Sequence, residues 1–222
     1  MTELSHALAG YLGKQLGLDE DKTDVLRYGF EVILGESAKI LVLFLFASFF
    51  DLTPYVLVSF LTIGSFRLFA GGYHSKTYGR CFVHSLVLFL GMGKLIQVIV
   101  QSFRPSGAWL FTLTLATFLL TFMAALKWAP AETPNKPLSL AEGKRQKKLS
   151  LLWVGFWFIL VSSVLLLIPL EKSTFIIVGT IMAHMVQTFS VTPAGFKFLQ
   201  SLDTLADKFI IQKNNERSGL HG

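Results

Sequence analysis

Cys81 is the single cysteine of the chain, and it stands in Arg67-Leu-Phe-Ala-Gly-Gly-Tyr-His74-Ser-Lys-Thr-Tyr-Gly-Arg-Cys81-Phe-Val-His84, a polar hinge between two apolar runs. A thiol with imidazoles nearby points to nucleophilic catalysis. The attacking species is the thiolate, and an ordinary thiol near pKa ~8.5 is mostly protonated at neutral pH. Two features of the segment favour the anion. If Cys81 starts the apolar helix that follows, it sits at the positive end of a helix dipole, and a protonated imidazole would supply a charge partner. His84 follows Cys81 on the same helix face, and helical side chains lean back toward the N-terminus. His74 precedes it in a loop that Gly71-Gly72 and Gly79 allow to fold over. Spacing leaves both open as the general base. The competing reading makes Cys81 a small packing residue, because an unreactive buried thiol behaves as a small hydrophobe. A metal site lacks a second cysteine or a carboxylate at ligand spacing, so none is expected, nor is any organic cofactor.

These residues must be positioned by a membrane bundle. Hydrophobic residues make up 52% of the 222 positions and charged ones only 15%, and the mean hydropathy is +0.56, more than a water-exposed surface carries. The fold class expected is all-α, a polytopic membrane protein of about six transmembrane helices. Candidate spans run over 38–50, 55–70, 82–100, 108–126, 151–170 and 174–191. The first two are short for a ~30 Å hydrocarbon core, which suggests bilayer thinning, snorkelling by Lys39 or a re-entrant hairpin about Asp51-Leu-Thr-Pro54.

The N-terminal stretch, with Leu4, Leu8, Tyr11, Leu12 and Leu16 at helical intervals, predicts an amphipathic surface helix, and a second helix runs through Val25 to Ile33. Met1 to Leu26 has no basic start followed by an apolar block, so no cleaved leader is expected. Residues 1–36 are read as N-terminal cytoplasmic helices, 37–191 as the bundle and 192–222 as a cytoplasmic tail, together one domain. A net charge of +6 could suggest nucleic acid, but the basic residues lie between apolar runs, which fits topology and anionic lipid instead. With the N-terminus cytoplasmic, only Arg104 and Lys172 fall outside and Lys94 falls within a span, so both termini, His74 and Cys81 are expected inside. The loop 127–149, with Pro130, Pro134, Pro137 and Lys144-Arg-Gln-Lys147-Lys148, should meet anionic headgroups or an acidic partner. The tail 196–211, with Phe198, Leu202, Leu205 and Phe209 at helical spacing, reads as another surface helix. His184, alone in the sixth span, reads as a packing or hydrogen-bonding residue, and Lys94 as facing protein or snorkelling.

The pattern Arg67…Gly72-Tyr-His74-x6-Cys81, the loop Ala129-Pro-Ala-Glu-Thr-Pro-Asn-Lys136-Pro137 with its trailing basic cluster, and Tyr28-Gly-Phe-Glu31 ahead of the first span resemble the accessory gene regulator protein B (AgrB) family over nearly the whole chain. That family comprises membrane cysteine endopeptidases of Gram-positive quorum sensing. The resemblance implies Cys81 as nucleophile and His74 as general base. It also implies an amphipathic, AgrD-like propeptide as substrate, whose C-terminal tail is removed through a thioester before the core cyclises to a thiolactone or lactone. Location in the bacterial cell membrane and a homodimer follow from the same resemblance. Arg67, Gly72, Lys76 and Arg80 become substrate-binding candidates for an acidic tail. Glu31 is the candidate to orient the imidazole, with Glu36 as competitor, and the amides from Gly79 to Phe82 are candidate oxyanion donors. The alternative is a non-enzymatic peptide transporter or scaffold.

Overall fold

The computed structural model describes residues 2–73, 75, 77–131 and 138–219, with side chains beyond Leu205 described only at Asp207. It is all helical, with eight helices among the described residues: α1 (Thr2–Leu16), α2 (Glu20–Phe49), α3 (Thr53–Ala70), α4 (Tyr78–Ser102), α5 (Gly107–Trp128), α6 (Leu140–Leu167), α7 (Leu170–Val191) and α8 (Pro193–Gly219). The six from α2 to α7 are each long and apolar enough to cross a bilayer. The chain divides into two compact units, residues 1–51 and 52–222.

In the first unit, α1 folds back on α2 through Gly17, whose φ of 60° suits a glycine at a helix end. Leu18 N donates to the Gly13 carbonyl at 2.9 Å, and the Asp19 side chain caps α2 by accepting from Lys22 N at 2.9 Å. The buried stripe of α1 is Ser5, Ala9 and Gly13, not the leucines. Leu4, Tyr11 and Leu16 stay exposed. Small residues let the two backbones approach: a Cβ at Gly13 would lie 2.6 Å from Thr23 Oγ1, and Ser5 Oγ donates to Glu31 at 3.4 Å.

Three boundaries differ from the sequence expectation. The segment 20–49 is one continuous 30-residue helix, so the first span is not short, and the expected division at 36/37 falls inside α2. Likewise α6 begins at Leu140, which makes the basic cluster Lys144–Lys148 its first turns instead of a loop. Hydropathy registers only the apolar part of such helices, whereas the backbone ladder runs on through polar residues once a cap satisfies its start. Ser139 and Glu142 form that cap reciprocally, with Glu142 Oε2 accepting from Ser139 N at 3.0 Å. The tail, expected as a surface helix over 196–211, lies within α8.

In the second unit α7 is the hub, packing against α3, α4, α5, α6 and α8. Its buried face mixes Ile177, Ile181 and Val191 with small and polar residues, Ser173, Thr174, Gly179, Thr180, His184, Gln187 and Ser190, as suits helices that associate where lipid competes for every apolar contact. His184 is fully buried. Its Nδ1–H donates to the Thr180 carbonyl at 3.1 Å, and its ring packs against Phe66, Phe118 and Trp157. Lys94 on α4 remains exposed, bonded to Gln97 at 2.8 Å. Glycines set the spacing around α3: a Cβ at Gly93 of α4 would meet Val56 Cγ2 at 2.8 Å, and one at Gly179 of α7 would meet Val58 Cγ1 at 3.0 Å.

Interhelical polar bonds such as Thr121 to Thr188, 2.8 Å, average only about 0.6 kcal/mol in membrane bundles. Overpacking typically costs about 1–3 kcal/mol. Gly179→Leu should therefore destabilise the bundle by about 1–3 kcal/mol and Thr121→Val by less than about 1 kcal/mol. Unfolding titrations in mixed micelles read both.

Candidate functional site

The segment between α3 and α4 is held at both ends. α3 stops at Gly71, which has φ 71°, and Gly72 follows at φ 138°, conformations that glycine adopts without strain. Both are also sterically committed. A Cβ on Gly71 would lie 2.4 Å from the Ala131 carbonyl oxygen, and one on Gly72 would lie 3.0 Å from Ser190 Oγ and 3.2 Å from Arg67 Nη1. Gly71 pairs with Ala131 in a short parallel bridge, with Ala131 N donating to the Ala70 carbonyl at 2.8 Å. Gln187 of α7 donates to the Gly71 carbonyl at 2.8 Å, and Arg67 donates to the Tyr73 carbonyl. The carbonyls of Ala70, Gly71 and Tyr73 thus each have a donor, as buried backbone acceptors require.

At the other end Thr77 caps α4, its side chain accepting from Arg80 N at 3.4 Å and its carbonyl accepting from Cys81 N at 3.0 Å. Cys81 is therefore half-buried in the first turn of an apolar helix. Because the amide of Cys81 is spent on Thr77, the oxyanion donors suggested by sequence narrow toward the amides ahead of it, such as that of Gly79. His84 stands on the same helix, its Nδ1 sharing a hydrogen bond with Ser75 Oγ at 2.9 Å and lying 4.0 Å from Asp203 Oδ1. His74 and Lys76 lie outside the described residues.

Sequence reasoning missed the contribution of α8. Asp203, fully buried, accepts a hydrogen bond from the Tyr73 hydroxyl. The Tyr73 ring also packs edge-on against Phe196, centroids 5.8 Å apart. Arg80 reaches the same helix, donating to the Asp203 carbonyl at 3.3 Å and pairing with Asp207 at 2.5 Å. Meanwhile Phe198, Leu202 and Leu205 stay exposed, so α8 turns Asp203 and Phe196 inward and these three apolar side chains outward. Nothing in local spacing signals the bond between Tyr73 and Asp203, 130 residues apart.

The other sequence candidates divide. Arg67, Gly72, Arg80, Cys81 and His84 come together around this loop. Arg67 and Arg80, expected to bind substrate, make their described contacts within the chain, and Gly72 serves close backbone approach. Glu31 belongs to the first unit, where it accepts from Ser5 and pairs with Arg27, each at 3.4 Å. Glu36 pairs there with Lys39 at 2.6 Å.

The phenol of Tyr73 is pushed from 10 up to about 12, first by burial and then by its hydrogen bond to Asp203, both of which penalise the phenolate. A raised tyrosine pKa means that the neutral form's contribution is fully present below pH about 10 and lost as pH rises through about 12. Asp203→Asn should bring the Tyr73 titration part of the way back to 10, leaving the share due to burial. The difference in phenolate absorbance between this variant with and without Tyr73→Phe isolates that residue.

The family model described as Accessory gene regulator B matches residues 5–191. The chain is 28% identical over 188 residues to "Accessory gene regulator protein B" of Staphylococcus aureus (strain bovine RF122 / ET3-1), covering 85% of this chain and 92% of that protein. It is 22% identical over 214 residues to a "Putative AgrB-like protein" of Clostridium perfringens (strain SM101 / Type A), covering 93% and 98%. A "Putative AgrB-like protein" of Clostridium beijerinckii is 28% identical over 179 residues, covering 80% and 83%. No solved structure matches.

Proposed function

The chain belongs to the accessory gene regulator B family, and from that premise we propose that it is a multi-pass membrane cysteine endopeptidase that processes an autoinducing-peptide precursor in quorum sensing. The observation that carries the reading is the placement of the only cysteine in the first turn of an apolar helix, beside a braced polar loop that carries the family-like His74.

The reaction begins when Cys81 Sγ, as thiolate, attacks the carbonyl carbon of the bond before the propeptide's C-terminal tail. Helix-start amides receive the developing oxyanion. The C–N bond breaks, the imidazolium gives its proton to the leaving amine, and the core remains as a thioester on Cys81. A Cys thiol or Ser hydroxyl within the core then attacks that thioester, passing its proton to the imidazole, and the ring leaves as Cys81 thiolate is regenerated. Intramolecular capture outruns water because well-oriented internal nucleophiles reach effective molarities of about 10⁵ M or more. The exposed Lys144, Arg145 and Lys148 at the start of α6 suit an acidic tail or anionic headgroups. The charge distribution supports cytoplasmic termini and a cytoplasmic site in the bacterial cell membrane, and family resemblance supports a homodimer. Lys76 is a further candidate contact for the tail.

His74 is the base in this reading. A second reading rests on one distance. His84 lies 4.0 Å from the Asp203 carboxylate, the kind of relation in which a carboxylate orients a catalytic imidazole. The two are separated by experiment. Cys81→Ala should abolish tail cleavage of the propeptide. His74→Ala should lower kcat by ~10³-fold or more, with His84→Ala within about ten-fold of wild type. The reverse order of severity would move the base to His84, and cleavage retained by Cys81→Ala would leave the transporter or scaffold reading.

Iodoacetamide labelling gives a readout that needs no substrate. At about pH 7 Cys81 should label at least ~10-fold faster than an ordinary thiol, and the excess should vanish in His74→Ala.

A further inference from the structure

We propose that α8 is the clamp of the active-site loop, with Asp203 and Asp207 as positioning residues that set the distance between the loop and the nucleophile. The proposal rests on the peptidase reading, in which His74 and Cys81 act together.

The two aspartates grip next to the reacting groups. Tyr73 and Arg80 immediately precede His74 and Cys81 in the sequence. Tyr73 donates to the buried carboxylate of Asp203 and stacks edge-on against Phe196. Arg80 pairs with Asp207 at 2.5 Å and donates to the Asp203 carbonyl at 3.3 Å. One helix therefore holds the residue before each reacting group. A third contact, the 4.0 Å approach of Asp203 to His84, ties the next turn of α4 to the same point. Arg67 from α3 and Cys81 are further charged or titratable groups at this junction, and the α7 residues that meet Gly71 and Gly72 there, Gln187 and Ser190, are neutral.

The chain builds α8 in place with little freedom. Thr192 Oγ1 accepts from Gly195 N at 3.1 Å, and the Thr192 carbonyl accepts from Phe196 N at 3.0 Å. A Cβ at Gly195 would lie 1.9 Å from the Phe189 carbonyl oxygen, so only glycine permits this turn from α7. The family model itself ends at residue 191, ahead of α8. The clamp's physical logic is that of catalysis by position: a small displacement of either partner costs orders of magnitude in rate even when both side chains are intact.

The test uses the full-length protein in nanodiscs with iodoacetamide as probe. The first readout is the ratio of Cys81 labelling rates at about pH 9 and about pH 6.5, which is large for an ordinary thiol and small for one whose thiolate is maintained by a neighbour. The second is amide hydrogen exchange across residues 71–81. Tyr73→Phe removes one hydroxyl and leaves the ring in place, so it keeps the fold while breaking the bond. Asp203→Ala breaks it from the other side.

Each variant should raise the labelling ratio by about five-fold or more and speed exchange across the loop by about ten-fold. The double variant should be no worse than Asp203→Ala, as expected for two ends of one interaction. Exchanging the charges of Arg80 and Asp207 (Arg80→Asp with Asp207→Arg) should restore the ratio relative to Arg80→Asp alone. Wild-type ratio and exchange in both Tyr73→Phe and Asp203→Ala would overturn the clamp. A wild-type ratio already like that of an ordinary thiol would count against the nucleophile reading, and loop exchange would then decide alone whether α8 holds the loop.

Discussion

Where α3 ends, the backbone leaves its helix while still enclosed by the bundle, and no polar group freed there can go without a partner. That constraint organises the site. Gln187 takes the Gly71 carbonyl, Ala131 the Ala70 carbonyl and Arg67 the Tyr73 carbonyl, which draws α3, α7 and the segment after α5 to one point. In hydrocarbon-like surroundings an unmet carbonyl costs several kcal/mol, more than any single polar bond between the helices contributes. The two glycines follow from the same demand, because a side chain at either would push the donors away.

The unit from Leu52 onward can be understood as a rigid support for this turn. Its helices approach closely at glycine, threonine and serine, where backbones can come near without losing packing, and α7 carries most of that surface. The same helix supplies Gln187 and Ser190 at its end, so the residue pattern that packs the bundle continues into the one that braces the loop. Cys81 then occupies the one place where an apolar helix still offers positive potential, its first turn.

A recurring pattern connects the two helices at the chain's ends. α1 buries Ser5, Ala9 and Gly13 and exposes Leu4, Tyr11 and Leu16; α8 buries Asp203 and exposes Phe198 and Leu205. This arrangement suits a surface that offers apolar side chains a second solvent, and it leaves the inward faces for close approach and for polar grip.

The sequence by itself determined the all-helical class, the six apolar helices and the thiol with its two imidazoles beside a glycine pair. These follow from hydropathy, periodicity and the scarcity of reactive residue types, all of which are local. It also contained, in Asp19 and in Ser139 with Glu142, the caps that start α2 and α6, a signal that apolar run length alone obscures. What only the tertiary structure decided is how the loop is held. The pairing of Tyr73 with Asp203, of Arg80 with Asp207 and of Gly71 with Gln187 and Ala131 joins residues far apart in the chain. It also gave Arg67 and Arg80, expected to contact substrate, bonds to the Tyr73 carbonyl and to Asp207 within the chain. Such contacts depend on which helix faces meet, and a one-dimensional pattern specifies the faces without specifying the meeting.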